Sequence, residues 1–151
     1  NGMQGNGGCG DNCHKKKSGA WEGRGTVLDI ENYWRAVLKQ DAHAMKGYFR
    51  PDACVRWHNT NEQFTVDEFI RVNCEYPGKW DGKVERVETK GDTIITVAHV
   101  YALDDPLSFH VVSFIGVEDD RITAMDEYWG DDGEAPRWRQ EKHIGKAIDR
   151  N

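Results

Sequence analysis

The chain has 151 residues and carries 20 Lys and Arg against 26 Asp and Glu, a formal net charge of -6. With 38% hydrophobic and 30% charged residues, it fits one domain large enough to bury its own core. The acidic balance argues against nucleic acid as a partner, because phosphate binding needs clustered Lys and Arg. No apolar run approaches the roughly 20 residues of a membrane span, so no membrane partner is expected.

Residues 1–25 are rich in Gly, Asn, Lys and Asp and show no helical or strand period, which predicts a disordered leader. Its run of Lys15, Lys16 and Lys17 reads as a solvated charge cluster, and the absence of an apolar signal core predicts a cytoplasmic protein. Cys9, Cys13 and His14 supply three metal-binding side chains without a partner cluster, so no metal is expected. Cys54 and Cys74 are expected to be reduced, buried thiols.

Order is expected from Thr26. Thr26 and Asp29 suggest a cap, and Ile30, Tyr33, Trp34, Val37 and Leu38 recur at helical spacing as far as Gln40. Asp41 starts a short second helix that turns Met45 and Phe49 inward and ends at Gly47 and Arg50-Pro51. Cys54 to His58 reads as a strand, with the polar residues Asn59 to Glu62 as the turn after it. Thr65 and Glu68 have capping-box spacing before a third helix, which Tyr76-Pro77-Gly78 stops. Four strands follow, over residues 80–90, 93–103, 107–118 and 121–129. This order predicts an α+β domain: a cone-shaped, curved antiparallel sheet covered by N-terminal helices and enclosing a ligand cavity. Residues 131–151 form a C-terminal tail expected to pack on the domain or on a dimer partner.

The last strand carries two adjacent carboxylates, Asp126 and Glu127. Alternation from Ile122 places Ala124, Asp126 and Tyr128 on its face and Met125, Glu127 and Trp129 on the other. Glu127 therefore sits among apolar neighbours that would raise its pKa and suit it to proton transfer.

With this helix and strand order, residues 26–130 resemble the nuclear transport factor 2-like superfamily, in particular its SnoaL-like branch of small polyketide cyclases. The likeness rests on the Thr26–Gln40 helix, the strand end Trp57-His58, the Thr65–Cys74 helix, and Phe114 and Gly116 spaced before Ile122. The blocks 57–62, 74–78 and 126–130 also look like a subgroup of unknown function. The resemblance implies the cystatin-like roll and an acid on the last strand that points into the cavity, a position where Glu127 falls. The cyclase pattern has Asp there and a His shortly before it; Met125 stands in the place of that His.

On this frame His110, sharing a face with Val112 and Phe114, is expected to look inward and to exchange protons with Glu127. Trp57, Trp80 and Trp129 around one mouth suit a flat, partly apolar ligand. His99 and Tyr101 share one face of their strand against Thr96, Ala98 and Val100, and either face can point inward. The same holds for Arg56 and His58 against Val55, Trp57 and Asn59. His58, Asn61, His99 and Tyr101 complete the candidate ligand-binding set. No phosphate-binding loop is present and no cofactor is expected. The expected partner is a hydrophobic or aromatic small molecule, bound for a cofactor-free isomerisation, cyclisation, dehydration or hydrolysis, or bound without catalysis. A non-catalytic interaction module is the rival reading. A homodimer is expected through an apolar outer sheet face built from residues such as Ile94, Val111 and Ile115.

Overall fold

The computed structural model describes residues 28–150. The expected leader, the Cys9, Cys13 and His14 cluster and the Thr26 cap lie outside these residues. Three helices precede most of the sheet: α1 (Ile30–Leu38), α2 (Ala42–Gly47) and, after β1 (Phe49–Trp57) and β2 (Glu62–Thr65), α3 (Val66–Cys74). The chain then runs through β3 (Trp80–Lys90), β4 (Thr93–Ala102), β5 (Ser108–Glu118) and β6 (Arg121–Asp131) to a short α4 (Arg137–Glu141). The strands form one six-stranded sheet in the order β2-β1-β6-β5-β4-β3. Its pairs are antiparallel except β1 with β6, which run parallel, a departure from the all-antiparallel sheet expected.

Local chemistry fixes the helix starts. The carboxylates of Asp29 and Asp41 accept from the amides of Asn32 and Ala44, each at 3.1 Å, and Thr65 with Glu68 closes the expected capping box. Among the described residues Asp29 caps α1. The second helix ends at Gly47, and Phe49 belongs to β1 rather than to the helix. Glu62, expected to end the turn, begins β2, and residues 62–65 pair with β1 in a strand that was not expected.

The helices cover one face of the sheet. Val55 on β1, Ile94 on β4, Ile115 on β5 and Met125 on β6 lie in one register row, all nearly inaccessible, under Tyr33, Met45 and Phe49. Aromatic rings pack edge to face from Tyr48 through Tyr33, Phe49, Phe69 and Trp57 to Trp129 and Phe109. Such pairs add about 0.5–1.5 kcal/mol each beyond the area they bury. Gly82 of β3 lies so close to β4 that a Cβ would sit 2.3 Å from the His99 carbonyl oxygen, and Leu38 of α1 packs against the same point.

Strict alternation fails once in β6. Val117 pairs with Ile122 and Gly116 with Ala124, leaving Thr123 as an extra residue. This bulge puts Ile122 on the same inner face as Met125 and Glu127, where alternation from Ile122 had separated them. The β5 faces are also the reverse of those expected. Val111, Ser113 and Ile115 are buried, while Phe114 is 40% exposed on the outer face. Ile94, Val111 and Ile115 are therefore core residues and cannot form an apolar outer patch. Cys54 is disulfide-bonded and Cys74 is free, so the expectation of two reduced thiols fails for Cys54, and the two are not partners of one another. Residues 131–150 are exposed along their length, with Arg150 reaching Glu85 at 3.5 Å.

Candidate functional site

The three buried polar residues among those described, Thr96, Ser113 and Glu127, stand side by side. Thr96 of β4 pairs with Ser113 of β5, Ser113 with Glu127 of β6, and Glu127 with Trp57 of β1. This polar row crosses the inner face next to the apolar row of Met125 and Ile115. Ser113 Oγ lies 2.5 Å from Glu127 Oε2, Trp57 Nε1 donates to Oε1 at 3.0 Å, and Trp34 Nε1 donates to Thr96 Oγ1 at 3.2 Å. The Trp129 indole N–H also faces the Glu127 carboxyl, helping to hold its pKa down, but does not reach hydrogen-bonding geometry.

Glu127 is 2% exposed. Burial pushes its pKa up, partly offset by Ser113, Trp57 and Trp129, all of which favour the ionised form. The phenol of Tyr33, itself buried and close enough to sense that charge, is raised well above its usual range. An indole nitrogen only donates, whereas a hydroxyl both donates and accepts. A proton taken up by Glu127 therefore belongs on Oε2, where Ser113 can accept it. Arg56 does not neutralise Glu127; it faces outward and pairs with Asp126 at 2.9 Å.

Beyond the polar row the interior opens into a cavity of about 280 Å³. Trp57, Trp80 and Trp129 line it, with Trp34, Val37 and Leu38 of α1, Val72 and Asn73 of α3, and Val100 and Phe109 of the sheet. Gln40, Asn59, Thr60, Tyr76 and Asp131 complete its wall. Glu127 is not part of that wall, because Trp57 and Trp129, 5.9 Å apart and tilted edge to face, stand between it and the cavity. Asn59 fixes Trp129: its side chain accepts from the Trp129 amide at 2.7 Å and donates to the Trp129 carbonyl at 2.6 Å.

The remaining candidates lie elsewhere. His110 does not meet Glu127; the two occupy opposite faces of the sheet. On the outer face His110 Nδ1 bonds the Asp132 carboxylate, and Nε2 lies 3.0 Å from Glu85, which a bulge in β3 leaves unpaired. His99 stacks on His110 with centroids 4.7 Å apart and pairs with Ser108 at 2.8 Å, and Tyr101 packs beside it. His58 is also outward, 2.7 Å from Asp126 and stacked on Tyr128. Asn61 occupies a left-handed turn position at φ 56° that suits Asn for backbone reasons. Among the described residues, no group of three His, Cys, Asp or Glu side chains is placed to hold a metal ion. Cys74 donates to the Gln40 carbonyl at 3.3 Å, and its thiol pKa is raised chiefly by burial, which makes it a poor nucleophile.

Sequence reasoning missed Gln40, Asn73 and Tyr76 as cavity residues. The available signal was the placement of polar residues at the C-terminal ends of α1 and α3, where two helices converge over a cone mouth.

No family model matches the sequence, and no curated protein is similar to it. Solved structures are. A protein proposed to be a ketosteroid isomerase from Kribbella flavida superposes with a TM-score of 0.65 at 21% identity, over 80% of this chain and 87% of its own. A nuclear transport factor 2-like protein of unknown function from Burkholderia xenovorans gives 0.64 at 20%, over 80% and 92%. The chain has the nuclear transport factor 2-like fold. A protein proposed to be a SnoaL-like polyketide cyclase from Shewanella putrefaciens shares it, at 0.56 and 13% identity over 66% of this chain and 76% of that one. Within this nuclear transport factor 2-like fold the interior on the helix-covered side is where the cavity lies. No described helix is long and apolar enough to cross a membrane.

Proposed function

We propose that the protein binds a small, largely hydrophobic or aromatic molecule in the tryptophan-lined cavity. The observation that carries this reading is the cavity itself: a space of about 280 Å³ walled by four Trp side chains, Phe109 and Tyr76 in a fold whose solid core is complete without it. That volume is at the low end of ligand pockets, so the ligand is small. The test is a thermal-shift and tryptophan-fluorescence screen of small aromatic compounds, charged and neutral, against the wild type and Val72→Trp, which fills the cavity from α3. Ligands should raise the melting temperature of the wild type by several degrees at 100 times Kd and leave the variant unchanged. A screen in which no compound separates the two proteins removes the reading.

Acid–base catalysis is the second reading, favoured by one buried carboxyl of raised pKa directly behind the cavity wall. The isomerase and cyclase descriptions of the structural neighbours support it in kind. It requires Trp57 and Trp129 to part, since they separate Glu127 from the ligand space. In that case Glu127→Gln abolishes turnover of an identified substrate and preserves its binding. For the expected homodimer, the surface that supports association is the outer patch where Phe114 packs on Tyr128.

A further inference from the structure

We propose that the ligand of this cavity carries a positive charge on an apolar frame, as an alkylated ammonium does; the proposal rests on the cavity being a ligand site. It follows from the hydrogen-bonding capacity that the wall has left to offer. Three of the four indole N–H groups are bonded away from the cavity, Trp34 to Thr96, Trp57 to Glu127 and Trp80 to the Pro77 carbonyl, and that of Trp129 is buried without a bonded partner on the side of Glu127. The rings therefore present π surface and C–H edges to a ligand, with no donor.

Most of the amide donors are committed too. Gln40 Nε2 donates to the carbonyls of Asn73 and Tyr76 at 2.8 and 2.9 Å, and Asn73 Nδ2 donates to that of Val37 at 3.0 Å. The Asn59 amide is held by the Trp129 backbone through its oxygen and one Nδ2 proton, which leaves the second Nδ2 proton unused. Among the described residues this leaves the side-chain oxygens of Gln40 and Asn73 and the Asp131 carboxylate as unused acceptors, and the hydroxyls of Thr60 and Tyr76 with one Asn59 amide proton as the remaining side-chain donors of the polar wall, all of them neutral. Among the described residues no Lys, Arg or His lines the cavity. Asp131 at its mouth and Glu127 behind Trp57 and Trp129 both bias the site toward positive charge.

An anion would meet a carboxylate with only neutral donors to hold it. A neutral carbonyl compound could satisfy its oxygen at the hydroxyl of Thr60 or Tyr76 but would leave the acceptors and the Asp131 charge unmatched. A desolvated organic cation is matched on every side, because aromatic faces attract it through their quadrupoles and the acceptors take any N–H it has. Alkylation of the nitrogen suits the apolar wall, since a bare ammonium is strongly hydrated and gives up its water reluctantly.

The test compares two probes of the same shape: benzyltrimethylammonium and its neutral carbon counterpart, neopentylbenzene. Both are titrated into the full chain by tryptophan fluorescence, with Val72→Trp as the blocked control. The expected result is at least about ten-fold tighter binding of the cation, corresponding to a cation–π gain in a partly dry site. Asp131→Asn should weaken the cation severalfold and leave the neutral probe unchanged. Equal or tighter binding of neopentylbenzene overturns the charge preference and leaves the cavity as a neutral-ligand site. Binding of neither probe, or equal binding to the blocked variant, overturns both the charge preference and the ligand-site reading.

Discussion

The inner face of the sheet has two ends, divided by the row of Thr96, Ser113, Glu127 and Trp57. On one side Ile94, Ile115, Met125 and Val55 are nearly inaccessible under Tyr33, Met45 and Phe49. On the other, Val100, Phe109 and Trp129 face a cavity. The same strands supply both ends, so the difference arises from what covers them. At the first end branched side chains and Met125 pack closely under Met45 and the edge-to-face rings of Tyr33 and Phe49. At the second, large flat rings meet edge to face and leave room between them. The buried core lies at one end and the proposed ligand site at the other.

The sharpest way to break this division is to truncate one residue at each end. Met125→Ala should cost about 2–5 kcal/mol in urea unfolding, as expected for a fully enclosed side chain. Val72→Ala, on the cavity wall, should cost less than about 1 kcal/mol, because its side chain already borders empty space. Equal losses would mean that the cavity end is as tightly packed as the core end.

The dividing row can be probed through pH. A carboxyl whose folded pKa is raised binds its proton more tightly in the folded state, so its contribution to stability falls as pH rises from its ordinary value of 4.5 through the raised one. Glu127→Gln keeps an acceptor for Trp57 and a donor for Ser113 and removes the titration. The variant should lose this alkaline-going decline and be more stable than wild type at pH 8, with near-equal stability at pH 4. An unchanged profile would mean that Glu127 does not titrate in this window.

The outer face offers the opposite sign and the smallest effect. For Asp132, partial burial raises the pKa but is outweighed by the Ser108 hydroxyl and by His110 and His99, so its carboxyl lies below the usual value. Its stabilisation is present above the ordinary aspartate pKa and is lost as pH falls through the lowered one. Asp132→Asn should remove that acid loss, by no more than about 1 kcal/mol because the cluster is solvent-accessible. A larger change would mark this cluster as a structural lock.

Much of this organisation was legible in the sequence. The capping box of α3 and the helical period of α1 fixed two helices, and the turn residues of the meander bounded β3 to β6 closely. Glu127 was recognisable as the buried member of its pair because Met125 and Trp129 flank it at strand spacing. The faces of β5 were harder, since His110, Val112 and Phe114 make an outer face nearly as apolar as an inner one. Phe109, Val111, Ile115 and Val117 outnumber them, and that count pointed the right way. β2 was hidden in a polar stretch because an edge strand needs only one inward side chain, here Phe64. The separation of Glu127 from the cavity by Trp57 and Trp129 depends on ring orientation across strands that are distant in sequence, and no spacing encodes it.

The extra residue Thr123 makes bending and facing separable in β6. Gly116 opposite it has no Cβ, and one placed there would lie 3.2 Å from the Thr123 hydroxyl oxygen. A chain shortened by that one residue would still turn Ile122, Met125 and Glu127 inward, having lost only the kink between them. The same one-codon loss at Asp126 would swing Glu127 to the outer face. For this strand, the position of a deletion therefore decides whether shape or chemistry changes.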